Sequence, residues 1–318
     1  MLPAALSSLR LPVIASPMLI ASYPELVLAQ CKAGIVGSFP ALNARPDTQL
    51  EAWIVAIEAE LAAHRERHPD AIVGPYAVNH IGHPSNARLD HDLRICLDHK
   101  VPVFITSLRA PPREVVEEVH AYGGLILHDV TTVRHAQKAL EAGVDGLILV
   151  AAGAGGYAGT LSPFAFVSEV RAFYNGFIAL SGAIASGASI AAARALGADC
   201  VYVGTRFLAS KEANVTQRYK EAIVDAHAAD IVYTDAFSGV HANYLRQSIE
   251  AAGMDPRALV RQSGASIDFA VSPDGAGLKE WRDIWGAGQG VGAIDEVLDA
   301  AQIVSRLERE YRAAIAQL

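Results

Sequence analysis

Short runs of aliphatic residues alternate along most of the chain with longer stretches in which apolar positions recur every three or four residues. The runs are LPVIASPM (11–18), GIVGSFP (34–40), AIVGPYAVN (71–79), VPVFITSL (101–108), GGLILHDV (123–130), DGLILVAA (145–152), GFIALSGA (176–183) and DCVYVGTRF (199–207). Unbroken apolar runs of this length, rich in Val and Ile, fit strands covered on both faces, as the strands of a parallel sheet are. The stretches between them read as helices. REVVEEVHAYG gathers Val115, Val116 and Val119 on one face and ends at Gly123. TVRHAQKALEAGVD groups Ala136, Ala139 and Leu140 and stops at Gly143, and SIAAARALGAD stops in the same way at Gly197. Glycine just past a helix supplies the left-handed residue that ends it.

The phrases EAGVDGLILV and ALGADCVYVG are near copies, so the unit of repetition is strand plus helix. Eight such units in roughly 210 residues predict an α/β fold, the (β/α)8 TIM barrel, over a doubly wound open sheet. The barrel is expected over 1–213. Beyond FLASKEA the strand rhythm stops, and 214–286 reads as an α-rich insertion after strand eight that covers the active site. The remainder, 287–318, returns to the barrel and closes with a long amphipathic helix whose Leu298, Ala301, Ile303, Val304, Leu307 and Tyr311 are expected to face it.

Composition narrows the function. The 318 residues are 52% hydrophobic and 19% charged, enough apolar material for a large core. Lys and Arg number 26 against 34 Asp and Glu, a net charge of -8, and no basic run provides the positive footprint that nucleic acid requires. Cys31, Cys96 and Cys200 are far apart and form neither a disulfide framework nor a zinc site. The first residues, MLPAALSSLRLPVIASPM, lack the charge and apolar pattern of a signal peptide, and no apolar stretch is long enough for a membrane span. A cytoplasmic enzyme acting on a small molecule is the expectation, and the composition is compatible with a homo-oligomer.

Active sites of such barrels lie in the loops after the strands. Here those loops hold Ser16–Met18, Phe39–Pro40, Asn79–His83, Thr106–Arg109, His128–Asp129, Gly153–Thr160, Ser181–Ala183 and Gly204–Arg206. Gly182 follows the seventh strand; Gly204 and Thr205 follow the eighth. These are the usual positions of a phosphate cradle, in which backbone N–H groups and the field of a helix N-terminus replace lysine. GAGGYA (153–158) matches G-x-G-x-x-A, but the next run, FIALSG, lacks the acidic residue a dinucleotide fold needs. The loop is read instead as a flat surface for a planar ring, with Tyr157 its one large side chain. His80 with His83, and His64 with His68, lack the converging carboxylates or cysteines of a metal site. His128 with Asp129 stands in the mouth. A barrel that binds a phosphorylated metabolite without redox work, a lyase or isomerase, also fits the phosphate loops.

PVIASPM, AGVDGLILVAAGAGGYAG, LSGAIASG with ALGADCVYVGTRFLAS, TDAFSG and DIWGAGQGVGAI together resemble the nitronate monooxygenase family, also called 2-nitropropane dioxygenase-like, over nearly the whole chain. The resemblance implies noncovalent FMN held by the barrel. By position, Pro17 and Met18 would lie by the isoalloxazine and Asn79 by its pyrimidine edge, with Gly156, Ser181 and His128 also at the cofactor. Gly182, Ala183, Gly204 and Thr205 would hold the phosphate, and Gln289 and Gly290 would return to the flavin. The implied activity is oxidation of nitronates, or of a related anionic or electron-poor molecule, with O2. Related flavin reductases of quinones and enoyl thioesters, which use NAD(P)H, share the pattern.

One residue departs from it. The family typically reads Gly-Gly-His where this chain has Gly155, Gly156 and Tyr157. An unperturbed histidine has a pKa of about 6.5 and a tyrosine about 10, so only about one tyrosine in a thousand is ionised at pH 7. A neutral phenol cannot act as general base, but it can donate a hydrogen bond to an anion. Tyr157 is therefore expected to be a donor, and His128 is the second catalytic candidate.

Overall fold

The computed structural model describes residues 3–261, 269 and 283–317. Eight parallel strands form the barrel: β1 (Val13–Ala15), β2 (Gly37–Pro40), β3 (Tyr76–Ile81), β4 (Val103–Ser107), β5 (Leu125–Val130), β6 (Gly146–Val150), β8 (Phe177–Ser181) and β9 (Cys200–Val203). Their order is β1-β9-β8-β6-β5-β4-β3-β2. The ring closes between β1 and β2, where Ile14 bridges Val36 and the Ala15 N–H donates to the Val36 carbonyl at 2.9 Å. All eight expected strands are found, and helices lie between them: α1 (Pro24–Lys32), α2 (Gln49–Arg67), α3 (Leu89–Asp98), α4 (Arg113–Ala121), α5 (Val133–Glu141), α6 (Pro163–Arg171) and α7 (Gly187–Leu196). Gly143 and Gly197 have φ of 90° and 105°, the left-handed conformation that ends α5 and α7.

Pleating sorts each strand between two cores. Ile14, Val36, Ala77, Val103, Ile105, Leu125, Leu127, Ile148, Ala179 and Cys200 fill the barrel. Their neighbours Val78, Phe104, Ile126, Leu147, Ile178 and Val201 pack outwards against Val27, Ile54, Leu93, Val116, Ala136 and Ile190 of the helices. His80 is on this outer face, stacked on Phe104 with ring centroids 5.2 Å apart, and burial pushes its pKa down to about 3. It is a neutral part of the packing and does not reach the mouth.

The C-terminal helix, Ala300–Ile315, starts from a capping box between Asp299 and Gln302. It buries Ala300, Ile303, Val304 and Leu307. Ala301, expected on that face, is exposed: one residue further on is a rotation of about 100°, and Ala300 takes the inward position. The helix meets α7 so closely that a Cβ on Gly187 would lie 2.1 Å from the Tyr311 nitrogen.

After β9 come α8 (Thr205–Leu208), α9 (Gln217–Val224) and α10 (Arg246–Ala251). The expectation for this region was helices and loops. It also holds a hairpin, β10 (Ile231–Thr234) and β11 (Ala242–Leu245), built from the β-branched and aromatic residues of IVYT and ANYL. The hairpin takes a third strand from the barrel: β7 (Gly156–Tyr157) pairs with β11, Tyr157 against Ala242 and Gly156 against Asn243. Stretches 262–268 and 270–282 of the expected insertion lie outside the described residues.

Candidate active site

The loops after the strands enclose a cavity of about 320 Å³, within the usual size of cofactor and ligand sites, roughly 300–1,000 Å³. Pro17, Met18, Asn79, His128, Gly156, Tyr157, Ser181, Gly182, Ala183, Gly204, Thr205 and Gly290 all line it. Residues spread over almost the whole chain therefore meet in one place. Gln289 is not in the wall; its backbone N–H donates to the Gly153 carbonyl at 2.9 Å and fixes the returning segment to the glycine loop.

The loops after β8 and β9 are neighbours, since Ser181 pairs with Tyr202. Gly182 has φ 128°, and a Cβ there would stand 2.6 Å from the Ala152 carbonyl oxygen, so the turn demands glycine. Ala183 follows with φ 55°, a conformation that costs a residue bearing a Cβ about 1–2 kcal/mol. Strain of this sort persists where the surroundings enforce it, commonly at ligand sites. Gly204 is different: its φ is ordinary, and a Cβ would only touch Ser16 Cβ at 3.4 Å and Met18 Sδ at 3.6 Å. No Lys or Arg is among the described residues lining the cavity, and backbone dipoles there favour an anion.

The glycine loop is less of an open surface than expected. A Cβ on Gly155 would lie 2.8 Å from the Gly288 nitrogen, and one on Gly288 would lie 2.6 Å from the Gly153 carbonyl oxygen. Gly155 and Gly288 thus allow backbone to pack on backbone. Gly156, with φ 66° and nothing within 4 Å of an added Cβ, opens into free space. Asn243 of β11 ties the same loop down, its Nδ2 donating to the Ala154 carbonyl at 2.7 Å. Tyr157 packs against two apolar clusters, one of Leu42, Ile81 and Phe269 and the other of Ala242, Tyr244, Ile249 and Ile284.

Polar side chains converge at the inner ends of β3, β4 and β5. Asn79 Nδ2 donates to Ser107 Oγ at 2.8 Å and to the Ile105 carbonyl at 3.2 Å. The Ser107 hydroxyl in turn donates to Asp129 Oδ2 at 2.8 Å. Burial raises the Asp129 carboxyl to about 7, against the bond from Ser107 that lowers it. His128, one residue earlier, takes the outward side of the pleat. Its Nδ1 is 2.7 Å from Thr106 Oγ1, and burial, helped by His135, lowers its pKa to about 4. His128 is neutral at pH 7 and borders the cavity rather than occupying its centre. Asp129 is the group there that titrates near neutrality. Tyr202 and Phe269, also in the wall, were absent from the sequence expectations, and Ser107 entered them only within the loop Thr106–Arg109. Strand alternation could have found Tyr202, two residues beyond the inward Cys200.

Among the described residues no cluster of three or more His, Cys, Asp or Glu could hold a metal ion, and no helix is long and apolar enough to cross a membrane.

A family model described as nitronate monooxygenase matches residues 3–310. A nitronate monooxygenase of Paraburkholderia phytofirmans is 29% identical over 357 residues, covering 96% of this chain and 94% of its own. The structure of a nitroalkane oxidase from Streptomyces ansochromogenes superposes with a TM-score of 0.79 at 26% identity, over 99% of each chain. FabK from Thermotoga maritima superposes with a TM-score of 0.76 at 28% identity, over 98% of this chain and 96% of its own.

Proposed function

The chain belongs to the nitronate monooxygenase family of oxidoreductases, and from that premise we propose that it binds FMN in the barrel mouth and oxidises nitronates, or a related small anion, with O2 as second substrate. The observation that carries the reading is the paired turn of Gly182–Ala183 and Gly204–Thr205, in adjacent loops at one end of a cavity of cofactor size. Position 182 excludes any side chain, and Gly204 leaves room beside it. That is the arrangement a phosphate needs when no lysine is at hand. Gly156 opens into the same cavity, which leaves space for a flat ring. Pro17, Met18 and Asn79 on the β1 and β3 side, and Gly290 on the returning segment, complete the proposed enclosure. When bound, FMN would supply a two-electron acceptor.

The roles of this chain's own residues follow. A nitronate is already an anion, so its oxidation needs no base to remove a carbon-bound proton. Tyr157 donates a hydrogen bond to it, and a neutral phenol suffices for that. His128, uncharged and directed to Thr106, borders the cofactor. The segment 214–286 serves as a cover: β11 carries the strand partner of Tyr157, and Tyr219 and Gly286 contribute to the wall.

The test is anaerobic flavin bleaching. The purified protein should show flavin absorbance or take up FMN, and nitronates should bleach it where NADH and NADPH do not. Bleaching by a reduced pyridine nucleotide instead would make the protein a reductase of quinones or enoyl thioesters. A protein that cannot be loaded with FMN would defeat both.

A further inference from the structure

Two oxygens in the floor of the cavity stand out, Asp129 Oδ1 and the Tyr202 hydroxyl. Each is buried, and each lacks a hydrogen-bond partner among the described residues. Buried polar groups are almost always paired, so such an atom calls for a ligand. Both residues line the cavity, and both are on the inward side of the pleat: Asp129 two residues beyond Leu127, Tyr202 two beyond Cys200. Tyr202 is 6% exposed.

We propose that Asp129 and Tyr202 form a two-donor subsite for a negatively polarised oxygen, in which Asp129 works as a carboxylic acid and not as a carboxylate. The proposal rests on the preceding reading only for what arrives there: a ring carbonyl of the cofactor, or a nitro or nitronate oxygen of the substrate.

The protonation state follows from the neighbours. The chain of bonds from Asn79 through Ser107 to Asp129 runs one way and brings the carboxyl a single donor, on Oδ2. A carboxylate has about four lone-pair sites to satisfy. Among the described residues no lysine or arginine lines the cavity to balance its charge. Among the described residues, the titratable groups that line the cavity with Asp129 are His128 on β5, which burial keeps neutral, His135 on α5, whose Nδ1 is 3.3 Å from Thr131 Oγ1, Tyr157 on β7, Tyr202 on β9 and Tyr219 on α9. A full negative charge would also act on the Tyr202 phenol, which burial and Asp129 together already hold far from ionising. Keeping the proton removes that charge and turns an acceptor into a donor. A neutral acid beside a phenol then presents two O–H groups, an arrangement that stabilises charge on oxygen in water-poor sites. Because burial leaves the carboxyl titrating at about 7, alkaline pH would convert the subsite from attractive to repulsive.

The experiment compares the wild type with Asp129→Asn, Asp129→Ala and Tyr202→Phe at pH 6 and pH 9. Infrared difference spectra read the acid directly. The wild type should show a protonated carboxyl C=O band at pH 6 that is gone at pH 9, and Asp129→Asn should lack it. The FMN dissociation constant and the KM for the anion of 2-nitropropane read the ligand. In the wild type one of them should weaken at pH 9 by roughly tenfold or more. Asp129→Asn keeps a donor that cannot titrate, so it should bind well at both values. Asp129→Ala and Tyr202→Phe should each bind poorly at pH 6. A change in the FMN constant assigns the oxygen to the cofactor, and a change in KM alone assigns it to the substrate. The proposal is overturned if the band is missing at pH 6. It is also overturned if Asp129→Asn is as impaired as Asp129→Ala, which would make the residue a base, or if no variant moves either constant. Failure of the wild type to take up FMN would remove the flavin reading alone, and the infrared band would still decide the state of Asp129.

Discussion

Tyr157 is paired through its main chain with Ala242, so the large side chain of the glycine loop is held by a strand from outside the barrel. Two backbone-bonded residues fix where the phenol starts, and two apolar clusters fix where it goes. Because the pairing uses no side-chain atoms, the ring can be exchanged without undoing it.

Tyr157→Phe should therefore leave the fold and FMN binding intact and slow flavin reduction by nitronates by about 10- to 150-fold, the loss of a hydrogen bond to a charged group worth roughly 1.5–3 kcal/mol. Tyr157→His should raise the rate with neutral nitroalkanes, which must lose a carbon-bound proton, above that of the parent. Anaerobic stopped-flow traces at the flavin bands measure both. Rates unchanged in Tyr157→Phe would reduce the side chain to packing.

Gly204 separates folding from binding. An added Cβ meets only ordinary contacts with Ser16 and Met18, so Gly204→Ala should fold with an unchanged melting temperature. Gly204→Val carries branches into the space assigned to the phosphate and should weaken FMN by more than tenfold while the apoprotein remains soluble. Fluorescence titration of FMN into the wild-type and both variant apoproteins checks this, and equal affinity in all three would dissolve the phosphate assignment.

Asp129 should shape stability against pH. Its folded pKa, about 7, is above the ordinary 3.8, so between those values the native state holds a proton that the unfolded chain has released. Stability then falls as pH rises from about 4 to 7, by up to about 4 kcal/mol, and the whole penalty remains above 7. Asp129→Asn lacks it. The melting temperature of this variant, measured against the wild type, should gain across that window and level off above it. A difference independent of pH would show a carboxyl that titrates normally.

Gly187 tests how the C-terminal helix is seated. A Cβ there would be 2.1 Å from the Tyr311 nitrogen and 2.4 Å from the Leu307 carbonyl oxygen, both backbone atoms that cannot turn aside. Gly187→Val should cost about 3 kcal/mol or more and lower the melting temperature by several degrees in calorimetry. A neutral effect would mean that the two helices can slide apart freely.

The barrel is legible because its strands are apolar on both faces and its helices stop at glycines, two signals that need no partner to be seen. The same double-sided burial hides the pleat. In LILHDV nothing tells which of His128 and Asp129 points inwards; that is decided only when Ile105 of β4 is set against Leu127 of β5. His128 drew notice for its place at the end of a strand, yet burial has shifted its pKa down to about 4 and raised that of the neighbouring Asp129 to about 7. The two residues of β7 have no period to detect, and their strand partners are more than 80 positions away. The glycine loop was legible as a surface free of side chains, but sequence does not say what lies against it: at Gly155 it is the backbone of Ala287 and Gly288.

That last contact sets an order of events in the cell. A chain made from its N-terminus has all eight barrel strands out before residues 286–290 exist, and domains fold as their pieces emerge. Until Gly288 settles on Gly153 and Gly155, the glycine loop has no backing and the cavity lacks a wall. The nascent barrel can thus pair its strands early, but the pocket becomes able to hold a ligand only as the final tenth of the chain is delivered.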